Sequence, residues 1–86
     1  MISENSLERI SHIFCGDTED LYAYKKGPQL VAFFNNYYNL SEKYGSGFPS
    51  RWVYVYDKLV QLVKSNRLDG FLNIVLSKEY LISEQS

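Results

Sequence analysis

The sequence has few cysteines and no long apolar runs, and each shortage excludes a class of protein. Among the 86 residues there is one cysteine, Cys15, so no internal disulfide can form and a disulfide-stabilised secreted domain is excluded. No apolar run reaches the length of about 18 residues that a membrane-spanning helix needs, so no such helix is expected. Residues 1–4 lack the basic and apolar regions of a signal peptide, and we expect a cytoplasmic location.

Histidine is equally scarce. The single histidine, His12, lies three residues before Cys15, so the two side chains share one face of a helix. A metal site needs at least three good ligands, and Asp17 is the one further candidate nearby. A Cys–His nucleophile would also need a third group that orients the imidazole. We therefore interpret His12 and Cys15 as structural residues and expect neither a metal nor a cofactor.

Motifs for catalysis are missing as well. No two acidic residues form a recognisable acid–base pair. The segment Gly45-Ser46-Gly47 is not followed by the Lys-Ser/Thr of a phosphate-binding loop. We predict a turn at these glycines and a protein that is not an enzyme.

Aromatic residues are abundant: eight Tyr, five Phe and one Trp make up 16% of the chain. A domain of this length buries only about 60–65% of its unfolded surface, so its core has to be dense. Apolar residues recur at helical spacing in several stretches. The spacing predicts helices over residues 5–15, 28–39, 49–65 and 67–77.

The predicted fold class is all-α, a small bundle of four to five short helices around an aromatic core. We expect one helical domain over residues 1–82 and a polar tail over residues 83–86. The residues expected in the core are Phe33, Phe34, Tyr37, Trp52, Tyr56, Leu59, Phe71 and Leu72.

Local signals predict where these helices begin and end. Asn5 followed by Glu8 is typical of a capping box. Gly16 favours a left-handed helix end, and Pro28 suits a first helical turn. Gly70, inside the last predicted helix, costs up to about 1 kcal/mol relative to alanine, so close packing is expected there.

The third helix is the best marked, and one alternative competes with it. Trp52, Tyr56, Leu59 and Val63 follow one another at steps of four, three and four, as on one face of a helix. Residues 52–56 all favour a strand, which is the alternative. We prefer the helix because the apolar stripe continues in phase through Val63.

Charge is unevenly distributed along a chain whose net charge is −1. Residues 1–24 carry five acids and one arginine, and residues 68–86 carry three acids and one lysine. Residues 25–67 carry seven bases and two acids. Either acidic and basic elements pack side by side and neutralise one another, or the basic segment 25–67 faces an anion or an acidic partner.

The candidate binding residues are Arg51, Tyr54 and Lys58 on the third helix. An arginine in a first helical turn opposes the helix dipole, so a specific partner is expected. That partner is either Asp57 or a neighbouring carboxylate, or else an external anion. A helix that presents these three side chains can contact a nucleic-acid backbone, although a pI near 5.7 argues against this.

Two segments carry a family resemblance. Residues 30–35 read Leu-Val-Ala-Phe-Phe-Asn, and residues 44–54 read Tyr-Gly-Ser-Gly-Phe-Pro-Ser-Arg-Trp-Val-Tyr, followed by Lys58-Leu59. Together they resemble a module of AbiJ-type bacterial abortive-infection proteins, over less than half of this chain. The resemblance implies an N-terminal helical module joined to a variable effector region in phage-defence proteins.

Effector regions of that family can be ribonucleases with an Arg-x(4–6)-His motif, which this chain lacks because His12 follows Arg9 by three residues. The resemblance therefore implies a non-catalytic interaction or sensor module of a phage-defence protein. Its expected partner is another protein or the effector region of its own protein, and a homodimer is a further expectation. The alternative is a small nucleic-acid-binding helical domain that uses the basic segment 25–67.

Overall fold

The computed structural model describes residues 2–18 and 22–84, and all regular structure in those ranges is helical. The all-α prediction is confirmed, and the strand alternative at residues 52–56 is wrong because these residues lie within a helix. None of the helices in the described ranges is long and apolar enough to cross a bilayer. The helices are α1 (Glu4–Cys15), α2 (Gly27–Tyr38), α3 (Arg51–Lys64), α4 (Leu68–Val75) and α5 (Lys78–Glu84).

The N-cap of the first helix lies two residues before the predicted one. Ser3, not Asn5, is the N-cap, and its hydroxyl accepts a hydrogen bond from the Ser6 N–H at 3.2 Å. The predicted end at Gly16 is confirmed, with φ of +83°. A Cβ at Gly16 would lie 2.3 Å from the Ala23 carbonyl oxygen. Gly16 therefore allows both the left-handed turn and the return of the chain against the end of α1.

The predicted turn before α3 is also confirmed. The Phe48 N–H donates to the Gly45 carbonyl at 3.0 Å, and Gly47 has φ of +84°. Ser50 occupies the N-cap position without a side-chain hydrogen bond, so α3 starts two residues later than predicted.

The predictions at Pro28 and Gly70 have different outcomes. Pro28 lies in the first turn of α2, as predicted. A Cβ at Gly70 would meet nothing within 4 Å, so the expected close packing there is wrong.

The core centres on four buried phenylalanines that contact one another mainly edge to face, the arrangement that aromatic rings prefer. Phe14, which was not among the predicted core residues, lies 4.9 Å from Phe33 and 5.4 Å from Phe71 between ring centroids. Phe34 stacks on Phe71 at 6.1 Å. The first helix thus contributes the central ring. In the sequence, only its helical spacing marks Phe14 as a core residue.

Four of the predicted core residues are placed differently. Tyr37 is 49% exposed, and Trp52, Tyr56 and Leu72 are half-buried at the edge of the core. The predicted stripe on α3 shares Leu59 with the buried face of this helix but is otherwise out of phase with it. The neighbouring helices α1, α2 and α4, which all pack against α3, determine which face is buried. The buried side chains of α3 belong to Tyr54, Val55, Lys58, Leu59 and Leu62.

The predicted polar tail begins inside a helix. Ser83 and Glu84 belong to α5, and the Glu84 side chain is only 8% exposed because it forms an ion pair with Lys25. Residues 85 and 86, the rest of that predicted tail, lie outside the described residues.

Candidate binding groove

A groove of about 670 Å³ lies between the segment that precedes α3 and one side of α3 itself. It contains Tyr54 and Lys58, two of the three predicted site residues, and most of residues 44–54, the second of the two segments that carry the family resemblance. The groove is lined by residues 42–49 together with Tyr54, Asp57, Lys58 and Gln61.

One side chain holds the outer wall in place. The Asn35 amide on α2 donates to the Glu42 carbonyl at 2.8 Å and accepts from the Glu42 N–H at 3.0 Å. The N–H of Leu40 donates to the Asn35 carbonyl at 3.2 Å. These bonds satisfy the backbone of a segment outside regular structure and direct the Glu42 side chain towards α3.

The Glu42 carboxylate joins the two walls of the groove. The Tyr54 hydroxyl donates to its Oε1 at 2.5 Å, and the Lys58 ammonium donates to its Oε2. Hydrogen bonds from Lys58 and then Tyr54 outweigh burial and lower the pKa of Glu42. Burial and the bond to Glu42 raise the pKa of Tyr54. We call these three residues the Glu42 cluster; it keeps Glu42 charged and Tyr54 neutral.

Aromatic rings form the rest of the wall. The Phe48 ring lies between Tyr44 and Tyr54, with centroid distances of 4.6 and 4.8 Å. The Tyr44 ring passes over Gly27, where a Cβ would lie 2.1 Å from a ring carbon. Tyr44 is nevertheless 52% exposed. The groove therefore presents an aromatic surface to solvent next to a fixed ion pair.

Arg51, the third predicted site residue, points to a different part of the molecule. Its Nε donates to the Lys25 carbonyl at 2.6 Å, one Nη donates to the Cys15 carbonyl at 2.6 Å, and the other forms an ion pair with Asp17 at 3.0 Å. The guanidinium also lies 3.9 Å from the centroid of the Tyr24 ring. The internal carboxylate partner is thus Asp17 rather than Asp57. We call Arg51 with its three acceptors the Arg51 anchor.

Neighbouring side chains close the Arg51 anchor on one side. His12 Nδ1 lies 3.0 Å from Asp17 Oδ2, and the His12 ring stacks on Trp52 at 4.8 Å. Burial opposes the ionisation of Asp17, but hydrogen bonds from His12 and Arg51 lower its pKa. Burial raises the pKa of the Cys15 thiol to about 11, which disfavours the reactive thiolate. Within the described residues, no three His, Cys, Asp or Glu side chains are grouped to hold a metal ion.

A second long-range ion pair was not predicted. Lys25 Nζ lies 2.7 Å from Glu84 Oε2, and both side chains are at most 10% exposed. Glu84 also accepts from the Ala23 N–H at 2.9 Å. No local sequence signal connects residues so far apart. The uneven distribution of charge along the chain was the one feature that favoured such an ion pair.

The ion pairs bear on the two interpretations of that charge segregation. Asp17–Arg51 and Lys25–Glu84 each join an acidic end of the chain to the basic segment 25–67, which favours mutual neutralisation. Lys26, Lys43 and Lys64 are exposed and form no ion pair with any acidic residue that the structure describes. Part of the basic segment thus remains available to an anion.

Comparison of the chain with protein-family models, with curated proteins and with solved structures gives no match in any of the three. The AbiJ-type resemblance therefore stays a prediction.

Proposed function

We propose that this chain is a cytoplasmic, non-catalytic interaction module of an abortive-infection-type phage-defence protein, and that the groove binds a segment of a protein partner or of its own effector region. The observation that carries the proposal is that most residues of the AbiJ-like segment 44–54 line this groove. Tyr44, the first residue of that segment, is the most exposed aromatic side chain in the groove lining.

The electrostatics of the groove favour binding over catalysis. An effective acid or base has a pKa near the working pH. In the groove, the pKa of Glu42 is lowered and that of Tyr54 is raised, so both move away from neutrality. Lys58 is only 8% exposed and is already paired with Glu42. Such a closed set of contacts holds the groove rigid and leaves its aromatic surface as the part that a partner can contact.

The partner that suits the groove is an extended peptide with an apolar side chain for Tyr44 and Phe48. At its rim the groove has one exposed cation, Lys43, and one exposed acid, Asp57, so a partner of mixed charge fits better than a polyanion.

The test is a phage challenge of host cells that express the natural reading frame containing this chain. Tyr44→Ala removes the exposed ring and is expected to abolish protection while the protein level stays unchanged. Tyr37→Ala is the matched control, since Tyr37 is 49% exposed and lies outside the groove. If the unmodified protein gives no protection, the phage-defence assignment is wrong. If Tyr44→Ala protects fully, the groove is not the binding surface.

Lys26, Lys43 and Lys64, which form no ion pair with a described acidic residue, support one alternative, a nucleic-acid-binding domain. Binding through phosphate contacts weakens steeply between about 50 and 200 mM salt. Fluorescence anisotropy with a labelled single-stranded RNA and a labelled duplex DNA tests this directly. Salt-sensitive binding that Lys43→Gln and Lys64→Gln weaken would favour the alternative. Arg51 and Lys58 are expected to contribute little, because both are already held in ion pairs.

A further inference from the structure

The short helix α5 is held by residues that are distant in sequence. It has seven residues, none of which is fully buried. The Tyr80 ring lies 5.9–6.4 Å from the rings of Phe33, Tyr22 and Phe14 between centroids. Glu84 contacts Lys25 and Ala23. We call Phe14, Tyr22, Ala23, Lys25 and Phe33 the α5 seat.

Only two residues, Leu76 and Ser77, separate α5 from α4. Residues 71–84 contain neither proline nor glycine, the residues that usually break or kink a helix. Leu76 has φ of −98° and ψ of 2°, within reach of a helical conformation, and is 54% exposed, so little packing holds the kink there.

Two side chains stabilise the kink. The Tyr22 hydroxyl donates to the Val75 carbonyl at the end of α4, at 2.6 Å. The Ser77 hydroxyl accepts from the Tyr80 N–H at 3.1 Å and donates to the Ile74 carbonyl at 2.8 Å. Ser77 therefore caps the start of α5. Loss of this cap and a modest change at Leu76 would join α4 and α5 into one continuous helix over residues 68–84.

A continuous helix would remove α5 from its own seat. At about 1.5 Å per residue, Glu84 would lie about 12 Å beyond Leu76 along the axis of α4. The vacated seat would still present Lys25 and the aromatic rings that contact Tyr80. A second copy of the chain carries a helix that fits these groups, namely its own α5.

We propose that the α5 seat is a helix-binding site that α5 of a second copy can fill, so that two chains exchange their last helices. The contacts of Tyr80 and Glu84 are the same in both forms, so exchange is a low-cost route to a dimer. The balance depends on the kink and on chain concentration. The closed monomer dominates at micromolar concentration, since a short connection gives an effective concentration of about millimolar.

Complementary charge reversal tests the exchange. In Lys25→Glu the seat repels the chain's own Glu84, and in Glu84→Lys the helix is repelled by its own Lys25. In a 1:1 mixture, each seat can pair with the oppositely charged helix of the other variant. We expect each variant alone to be monomeric by sedimentation velocity, with helicity retained by circular dichroism, and the mixture to form a heterodimer. Combining both changes in one chain is expected to restore the ion pair within that chain, so the double variant should stay monomeric when mixed with either single variant.

The control is Glu79→Lys, an exposed acid on α5 outside the contacts with the seat. Its mixture with Lys25→Glu is expected to stay monomeric. A charge-reversed mixture that remains monomeric would overturn the proposal, as would a dimer formed equally by each variant alone.

A second measurement does not depend on how the charge-reversed variants fold. Ser77→Ala removes the cap that stabilises the kink, so native mass spectrometry of this variant near millimolar concentration should show a dimer fraction several-fold above that of the unmodified chain. Equal dimer fractions would contradict the role assigned to the kink.

Discussion

The Arg51 anchor and the Glu42 cluster both attach α3 to the rest of the chain through a cation and a carboxylate, but they differ in their surroundings. The anchor also binds two backbone carbonyls, and the rings of Tyr24, His12 and Trp52 lie around it. The cluster borders an open groove, and the Glu42 side chain is 38% exposed. Similar charge pairs can therefore fix the fold in one place and form the wall of an open groove in another.

The largest loss of stability is expected from a substitution in the Arg51 anchor. Arg51→Met removes the side-chain donor of the Lys25 carbonyl. It also removes one of two partners from the Cys15 carbonyl and from the Asp17 carboxylate. Unsatisfied buried groups cost about 1–3 kcal/mol, so we expect a loss of about 3 kcal/mol in the free energy of unfolding. Urea unfolding at pH 7 measures it. Lys64→Met, an exposed cation on the same helix, should change stability by less than about 0.5 kcal/mol. Equal losses in both variants would show that the anchor is not structural.

A smaller loss is expected at the cluster. Lys58→Met removes the cation, but the partly exposed Glu42 can turn towards water. Exposed ion pairs contribute about 0–1 kcal/mol, and because the Lys58 side chain is buried we expect a loss at the upper end of this range, about 1 kcal/mol, in the same urea experiment. A loss as large as that of Arg51→Met would mean that the groove wall is as essential to the fold as the anchor.

The sequence is informative about these regions to different degrees, because its signals are local. Gly16, Pro28 and the turn at residues 45–47 act on their own neighbours, so they could be predicted. The acceptors of Arg51 lie 26 to 36 residues away, and two of them are backbone carbonyls that no side chain marks. Glu42 could have been identified, since it is one of only two acids among residues 25–67.

Acid titration distinguishes the Arg51 anchor from the Glu42 cluster in a second way. The pKa values of Asp17 and Glu42 are lowered from ordinary values of 3.8 and 4.5. A lowered native pKa means that the stabilisation is fully present above the unfolded value and is lost as the pH falls through the native one. The unfolding free energy should therefore decline below about pH 4.5.

The variants separate the two contributions to that decline. In Arg51→Met, the unfolding free energy should fall less steeply with decreasing pH, because much of the contribution of Asp17 is lost. In Lys58→Met, the same should hold for the contribution of Glu42. Urea midpoints measured between pH 7 and pH 3 provide the test. A decline that is equally steep in both variants and in the unmodified chain would assign the acid sensitivity to other carboxylates, of which Glu84 is the first candidate because its pKa is also lowered.

The smallest expected effect on stability lies at the aromatic wall, where the Tyr44 ring rests on Gly27. A Cβ at Gly27 would lie 2.1 Å from the ring, but the ring is the mobile end of a half-exposed side chain and can move aside. Gly27→Ala should therefore change the unfolding free energy by less than about 0.5 kcal/mol. Tyr44 should still move, which nuclear Overhauser contacts between its ring and Phe48 would report.

A double-mutant cycle with Tyr44→Ala isolates the contact between these two positions. If the ring alone opposes a larger residue at position 27, Gly27→Ala in the Tyr44→Ala background should be neutral, and the coupling energy should match the small cost seen in the single variant. A large loss from Gly27→Ala in both backgrounds would mean that the start of α2, rather than the groove wall, requires glycine.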